Sequence, residues 1–257
     1  VGYPAAVELA GRVALITGGG TGLGAEISRA LDARGVAVGV NFSRSRLEAE
    51  TIASGLSAGL AVEADVRDEV AVVAMVSRVE RTLGPIDLLV NNAGVTTYAP
   101  FADLDAIARE DWETILGVNV IGVWNCARAV ASGMRARGTG AIVNVASDSA
   151  LTLEGSSIPY VVSKAAVLTL TETLARALAP EIHVHAVAPG WMDTPWLDRY
   201  VPEPRRQALR EGREPTVPVA TVAEAIVTLL ESDALSGKVL RLSPEDPTRP
   251  AALREGT

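Results

Sequence analysis

A tyrosine and a lysine stand four residues apart in "PYVVSK", residues 159–164. Side chains spaced i and i+4 share one face of a helix. A phenol with an ordinary pKa of about 10 lies roughly three units, or about 4 kcal/mol, from base chemistry at neutral pH. A nearby ammonium stabilises the phenolate and narrows that gap. Tyr160 and Lys164 therefore have the types and spacing of a general acid–base pair. The lysine is itself unusual: Lys164 and Lys238 are the only lysines among the chain's 23 basic residues, the others being arginine. Lysine is a compact point charge whose pKa can move, whereas arginine is a permanently charged planar fork. Ser156 or Ser157 stands where it can cap the helix, and Pro159 suits its first turn.

A second stretch with chemistry is "TGGGTGLG", residues 17–24, between a strand-like run and a helical one. Glycines at such a turn let the backbone approach a pyrophosphate, whose charge then rests on the helix N-terminus. The spacing is Gly18-x-x-x-Gly22-x-Gly24, with Thr21 and Leu23 in the same turn. A dinucleotide site for NAD usually carries an acid about 20 residues further on, bound to the ribose 2′-hydroxyl. Here the second strand ends in "NFSRSR", with Ser43, Arg44 and Ser45 and no acid. An arginine flanked by hydroxyls suits a 2′-phosphate, so NADP(H) is expected over NAD(H), with Arg44 as the discriminating residue and Arg46 as the start of a solvated helix.

The elements that must position these groups alternate along the chain. Strand-like runs occur at 12–17, 36–42, 60–64, 86–90, 141–147, 183–188 and 238–242, several of them apolar on successive residues. Such runs are buried on both faces of a parallel sheet. Helical stripes fill the gaps, among them Leu23, Ile27, Ala30 and Leu31. This pattern predicts an α/β fold, a Rossmann-type doubly wound parallel sheet of about seven strands flanked by helices in a single domain, 1–257. A Pro-rich, charged excursion at 191–218 reads as a substrate lid, and 243–257 as an irregular C-terminal tail.

Composition narrows the function. The 257 residues are 48% hydrophobic and 21% charged, with a net charge of −8 that offers no basic face to nucleic acid. The single cysteine, Cys126, fits a reducing compartment and reads as a small buried hydrophobe. No signal peptide and no membrane-spanning run is apparent. A cytoplasmic protein without membrane or nucleic-acid partners is the expectation. His183 and His185 share a strand face without a third ligand nearby, so they read as packing residues and no metal site is expected.

"NNAG" (91–94) follows the fourth strand, Ser147 ends the fifth, and Tyr160 and Lys164 come later in the right order. With the "TGxxxGxG" spacing, the chain over roughly 9–242 resembles the short-chain dehydrogenase/reductase family, and within it the 3-oxoacyl-carrier-protein-reductase-like oxidoreductases. The resemblance implies an enzyme interconverting a ketone and a secondary alcohol. In it Tyr160 is the acid that protonates the carbonyl oxygen, Ser147 orients that oxygen, and Lys164 also holds the nicotinamide ribose. Asn119, in "ILGVNV", would position a water that relays protons toward Lys164. Asp65 and Val66 would contact the adenine; Asn91, Asn92, Ala93 and Gly94 would line the cofactor cleft; Pro189, Gly190 and Thr194 would bind the carboxamide. The family commonly pairs through the helices carrying Asn119 and Tyr160, which implies a homo-oligomer, tetramer or dimer. A catalytically silent dinucleotide-binding scaffold of the same fold is the alternative.

The chain departs from the family at "LRLSPED", where an Asp-Gly-Gly turn is common, and Asp148 beside Ser147 has no evident role. The substrate pocket is built from loops beyond the strand ends. Tyr98, Trp191 and Trp196 fall in those loops and predict an apolar or aromatic-lined pocket for a carbonyl or alcohol substrate that is not strongly anionic.

Overall fold

The computed structural model describes residues 7–232 and 236–244. Seven parallel strands form one sheet: β1 (Val13–Ile16), β2 (Ala37–Phe42), β3 (Gly59–Glu63), β4 (Leu88–Asn91), β5 (Gly140–Val145), β6 (Ile182–Pro189) and β7 (Val239–Leu242). Each overlaps its predicted run. β1, β4 and β5 are buried at every position because helices cover both faces.

The strand order is β3-β2-β1-β4-β5-β6-β7. The chain builds outward from β1 to β3, then returns to pair β4 against the other side of β1. That reversal leaves a crevice at the carboxyl ends of β1 and β4, where doubly wound sheets bind ligands. On one face, α1 (Gly22–Asp32), α2 (Arg46–Ser54) and α10 (Val219–Leu230) pack Ile27, Leu31, Ala49, Ile226 and Val227 against Val38, Val40 and Val143. On the other, α3 (Glu69–Leu83), α5 (Gly122–Arg137) and α7 (Ile158–Leu178) pack Met75, Val79, Cys126, Met134 and Leu174 against Leu15, Leu89 and Ile142. Burial pushes the Cys126 thiol up to about 12, which keeps it an inert core group.

One expectation needs correction. The run from α4 (Arg109–Leu116) to the end of α5 is a single 29-residue helical stretch, Arg109–Arg137, long and apolar enough by length and composition to cross a membrane. Its α4 and α5 segments instead pack against α7 and α3, as a core helix does.

His183 and His185 lie on β6 with parallel rings 6.5 Å apart. His185 is fully buried and both its ring nitrogens lack a partner among the described residues. Burial, reinforced by His183 and Lys238, pulls its pKa down to about 4. The imidazole is thus neutral in the folded protein while the unfolded chain protonates near 6.5. Stability is full above that value and falls as pH drops toward about 4, by about 3 kcal/mol at most. Urea unfolding of His185→Gln should show a shallower loss between those two pH values; an unchanged slope would refute the assignment.

Candidate active site

A cavity of about 970 Å³ opens at the switch point and extends to the 191–218 excursion. Its cofactor end begins at the glycine turn. Gly18 has φ +61°, a left-handed conformation that suits glycine, and donates its N–H to the Asn41 side chain at 3.3 Å. A Cβ on Gly24 would stand 2.2 Å from the Gly18 carbonyl oxygen, so this glycine lets α1 press against the turn. Gly24 does not line the cavity; Gly18, Thr21, Gly22 and Leu23 do. Thr17 and Asn92 clasp the turn to β4: the Thr17 hydroxyl oxygen accepts from the N–H groups of Asn92 and Ala93 at 3.0 Å, and the Asn92 amide donates to the carbonyls of Thr17 and Gly18.

Beyond β2, Ser43, Arg44 and Ser45 line the same cavity. Arg46 is occupied elsewhere, paired with Glu50 and Glu63 and stacked over Phe42. Arg44 enters none of the ion pairs found among the described residues, which leaves its guanidinium for a ligand. Two acids share this end, Glu48 and Asp65. Arg67 grips the Asp65 carboxylate at 2.6 Å and, with help from Arg44, holds it below its usual pKa. Val66, Asn92, Ala93, Gly94, Pro189, Gly190 and Thr194 complete the predicted lining. Asn91 does not: it is buried in the sheet and donates to Asn144. The shape, the glycine cradle and the free arginine suit a phosphorylated dinucleotide.

Ser147, Tyr160 and Lys164 meet in the middle of this cavity. Ser157 precedes α7 in extended conformation but makes no side-chain cap bond, and Pro159 sits in the first turn. Tyr160 and Lys164 then fall on one face, with the Lys164 Nζ 5.7 Å from the Tyr160 ring centre. The ammonium donates to the Val145 carbonyl at 2.7 Å. Burial pushes the Tyr160 phenol up to about 12, while the neighbouring Ser147 hydroxyl pulls it the other way. Burial also brings Lys164 down to about 8. The sequence predicts that Lys164 lowers the phenol's pKa. In the protein alone burial outweighs this and the phenol stands above its ordinary value, while the ammonium donates to a backbone carbonyl.

Asn119 is fully buried and does not line the cavity. It sits in a π-helical turn, Gly117–Ile121, between α4 and α5. Such turns displace a side chain from the regular helix face. Its Oδ1 accepts from the Val95 N–H at 2.9 Å, and its Nδ2 donates to the Val95 carbonyl and to Ser163. The amide thereby holds the loop after β4 beside Lys164: a Cβ on Gly94 would lie 3.6 Å from Oδ1 and 3.7 Å from the Lys164 Nζ.

The 191–218 excursion carries two short helices, α8 (Pro195–Tyr200) and α9 (Glu203–Arg210). Trp191 and Trp196 line the cavity. The Trp196 ring lies 5.8 Å from Tyr160 and 4.6 Å from Tyr200, making an aromatic wall over the reactive phenol. Tyr98 departs from expectation: it is not in the cavity lining but packs with Trp191 against Leu197, Val201 and Leu209 of the excursion.

Asp148, unexplained by sequence, forks onto Arg241 of β7 at 2.6 and 3.3 Å, while its N–H donates to the Pro189 carbonyl. The last strand is thus tied across β6 to the residue beside Ser147. Asp148→Asn should lower kcat for the ketone reduction expected from the sequence by about threefold to tenfold, as loss of one charge-assisted hydrogen bond would. The double exchange Asp148→Arg with Arg241→Asp should recover part of it. Equal kcat in wild type and Asp148→Asn would dismiss the tie.

Comparison with known proteins agrees with this architecture. A family model described as short chain dehydrogenase matches residues 12–204. Acetoacetyl-CoA reductase of Rhizobium meliloti (strain 1021) is 38% identical over 231 residues, covering 87% of this chain and 92% of the relative. The structure of a gluconate 5-dehydrogenase from Burkholderia cenocepacia J2315, in complex with NADP and tartrate, has a TM-score of 0.81 at 33% identity, over 91% of this chain and 94% of that one. A 3-ketoacyl-(acyl-carrier-protein) reductase from Brucella melitensis, complexed with NADH, has a TM-score of 0.83 at 32% identity, over 92% and 98%.

Proposed function

The chain belongs to the short-chain dehydrogenase/reductase family, and on that premise we propose that it is an NADP(H)-dependent oxidoreductase interconverting a ketone and a secondary alcohol. The observation that carries this reading is the convergence of Ser147, Tyr160 and Lys164 in the cavity that also holds the glycine turn, with the Lys164 Nζ 5.7 Å from the Tyr160 ring centre. Relatives point the same way: one is named a reductase of acetoacetyl-CoA, and one was solved with NADP. That another was solved with NADH makes the cofactor choice depend on this chain's own Arg44.

The residues divide the work. Gly18, Thr21, Gly22 and Leu23 would hold the pyrophosphate, Ser43, Arg44 and Ser45 the 2′-phosphate, and Asp65 and Val66 the adenine. Lys164 and the Pro189–Thr194 segment would hold the nicotinamide end. A bound nicotinamide supplies or accepts hydride; everything else falls to the protein. Ser147 donates a hydrogen bond to the substrate oxygen and turns it toward Tyr160. Tyr160 gives its proton to that oxygen in reduction and takes it back in oxidation. Asn119 holds the 93–96 loop against Lys164, which supports a water path for reprotonation. Trp191 and Trp196 wall off the substrate end. Trp191→Ala should raise KM for bulky apolar ketones about threefold to tenfold, from lost contact area; KM unchanged for every accepted ketone would remove it from the pocket.

Loss of the reduced-nicotinamide absorbance against a panel of ketones tests the whole reading. NADPH consumed faster than NADH is the expected result, and absence of turnover on any ketone with either cofactor would reject it. Ile121 and Trp124 at the α5 junction and Val162 on α7 are exposed apolar groups, and we assign them to a subunit contact. Light scattering should give a dimer or tetramer, and a monomer would refute the contact.

A further inference from the structure

We propose that Leu153 is a specificity-determining residue that receives the apolar chain of a long ketone at the mouth of the cavity. The proposal deepens the function assigned above, and rests on it for the reacting end of that substrate.

Leu153 follows a short helix, α6 (Ser149–Thr152), and takes φ +63° and ψ +20°. It is the only residue other than glycine with a positive φ among the described residues. The left-handed conformation crowds the β-carbon of an L-residue, so helix ends that need it favour glycine or asparagine. The turn itself has a plain cause: the Leu153 N–H donates to the Ser149 carbonyl at 3.1 Å and closes α6. That accounts for a turn at this position but not for a leucine in it.

Packing does not account for the leucine either. Leu153 is 54% exposed, so it returns only part of the transfer free energy of a buried leucine. It also lines the cavity, and every other lining residue between 147 and 156 is polar or glycine. Backbone, solvent and neighbours all disfavour leucine here. Side chains held against the backbone's preference gather where ligands are gripped.

A second apolar group stands at the same mouth. Phe101, 37% exposed, lines the cavity from the loop after β4. That loop is stapled to the Leu153 loop at two points. The Ala99 N–H donates to the Ser156 carbonyl at 2.8 Å, and the Thr96 and Ser156 hydroxyl oxygens are 2.6 Å apart. Two rims fixed to each other thus offer a leucine and a phenylalanine at the edge of the cavity that contains Tyr160. A ketone with its carbonyl at Tyr160 and an apolar chain leaving past this rim covers both groups and removes their surface from water.

Leu153→Asn is the variant, because asparagine accepts the left-handed conformation while the apolar surface is lost. The full-length protein is titrated with 2-butanone and with 2-nonanone in the presence of NADP+, where no ketone can be reduced. Binding is read from tryptophan fluorescence, since Trp191 and Trp196 line the cavity. Wild type should bind the longer ketone more tightly. In the variant its Kd should rise about fivefold, the loss of part of a leucine contact, with 2-butanone unchanged. The melting temperature should stay level or rise by about 2 °C as the strained backbone relaxes. Equal wild-type affinity for the two ketones overturns the proposal, as does a variant that weakens both alike or neither. A fall of several degrees in melting temperature also overturns it, since Leu153 would then be a support of the fold. If the variant dissociates in light scattering while both affinities hold, a second copy of the chain covers Leu153 and the proposal fails. A chain-length preference that the variant loses, in a protein that oxidises NADPH with neither ketone, keeps the subsite and rejects the reductase reading.

Discussion

Tyr160→Phe is expected to lower kcat for ketone reduction by about a thousandfold, within the range that a positioned general acid supplies. Cofactor affinity should survive, because the ring remains and Lys164 still donates to the Val145 carbonyl. Retention of a tenth of the wild-type rate would mean that another group, or water, delivers the proton. The pH dependence follows from the same site. With the phenol at about 12, Tyr160 is protonated at neutral pH, the form that the proposed proton donation requires. Lys164, brought down to about 8, carries its charge below that pH and loses it above. Reduction should therefore be level through neutrality and fall as pH rises past about 8, because the neighbouring cation that favours the phenolate left by proton donation disappears. Oxidation needs the phenolate and should climb with pH. A reduction rate level to well above that point would dissociate Lys164 from the chemistry.

Arg44→Asp is expected to cut kcat/KM for NADPH by about a hundredfold, the combined loss of a charge-assisted pair and gain of a like charge. NADH should be affected little, and should become the better cofactor. The reasoning depends on Arg44 being the free guanidinium at the end of β2, since Arg46 is engaged by Glu50 and Glu63. Glu48 and Asp65 line the same end, yet Asp65 is compensated by Arg67. Steady-state kinetics with both cofactors at matched ketone concentration measure the ratio. A wild-type enzyme that already prefers NADH, or a variant with an unchanged ratio, would transfer the discrimination to other residues.

Seven strands, the glycine turn and the Tyr160–Lys164 pair are legible in the amino-acid sequence. These are local: continuous apolar runs mark doubly covered strands, a left-handed turn selects glycine at 18, and two residues four apart in a helix share a face regardless of what surrounds them. Contacts between groups far apart in the chain emerge only once the sheet is assembled. Asp148 meets Arg241 across 93 residues because β5, β6 and β7 stand side by side in register. Asn119 reaches Val95 and Ser163 because a π turn rotates it off the helix stripe, and no residue type announces that turn. Tyr98 looks like a pocket aromatic in sequence, but packing against Leu197, Val201 and Leu209 takes it away from the cavity. The phenol's environment was decided last of all. Spacing places an ammonium near Tyr160, whereas burial and the direction of each hydrogen bond determine which neighbour acts on it.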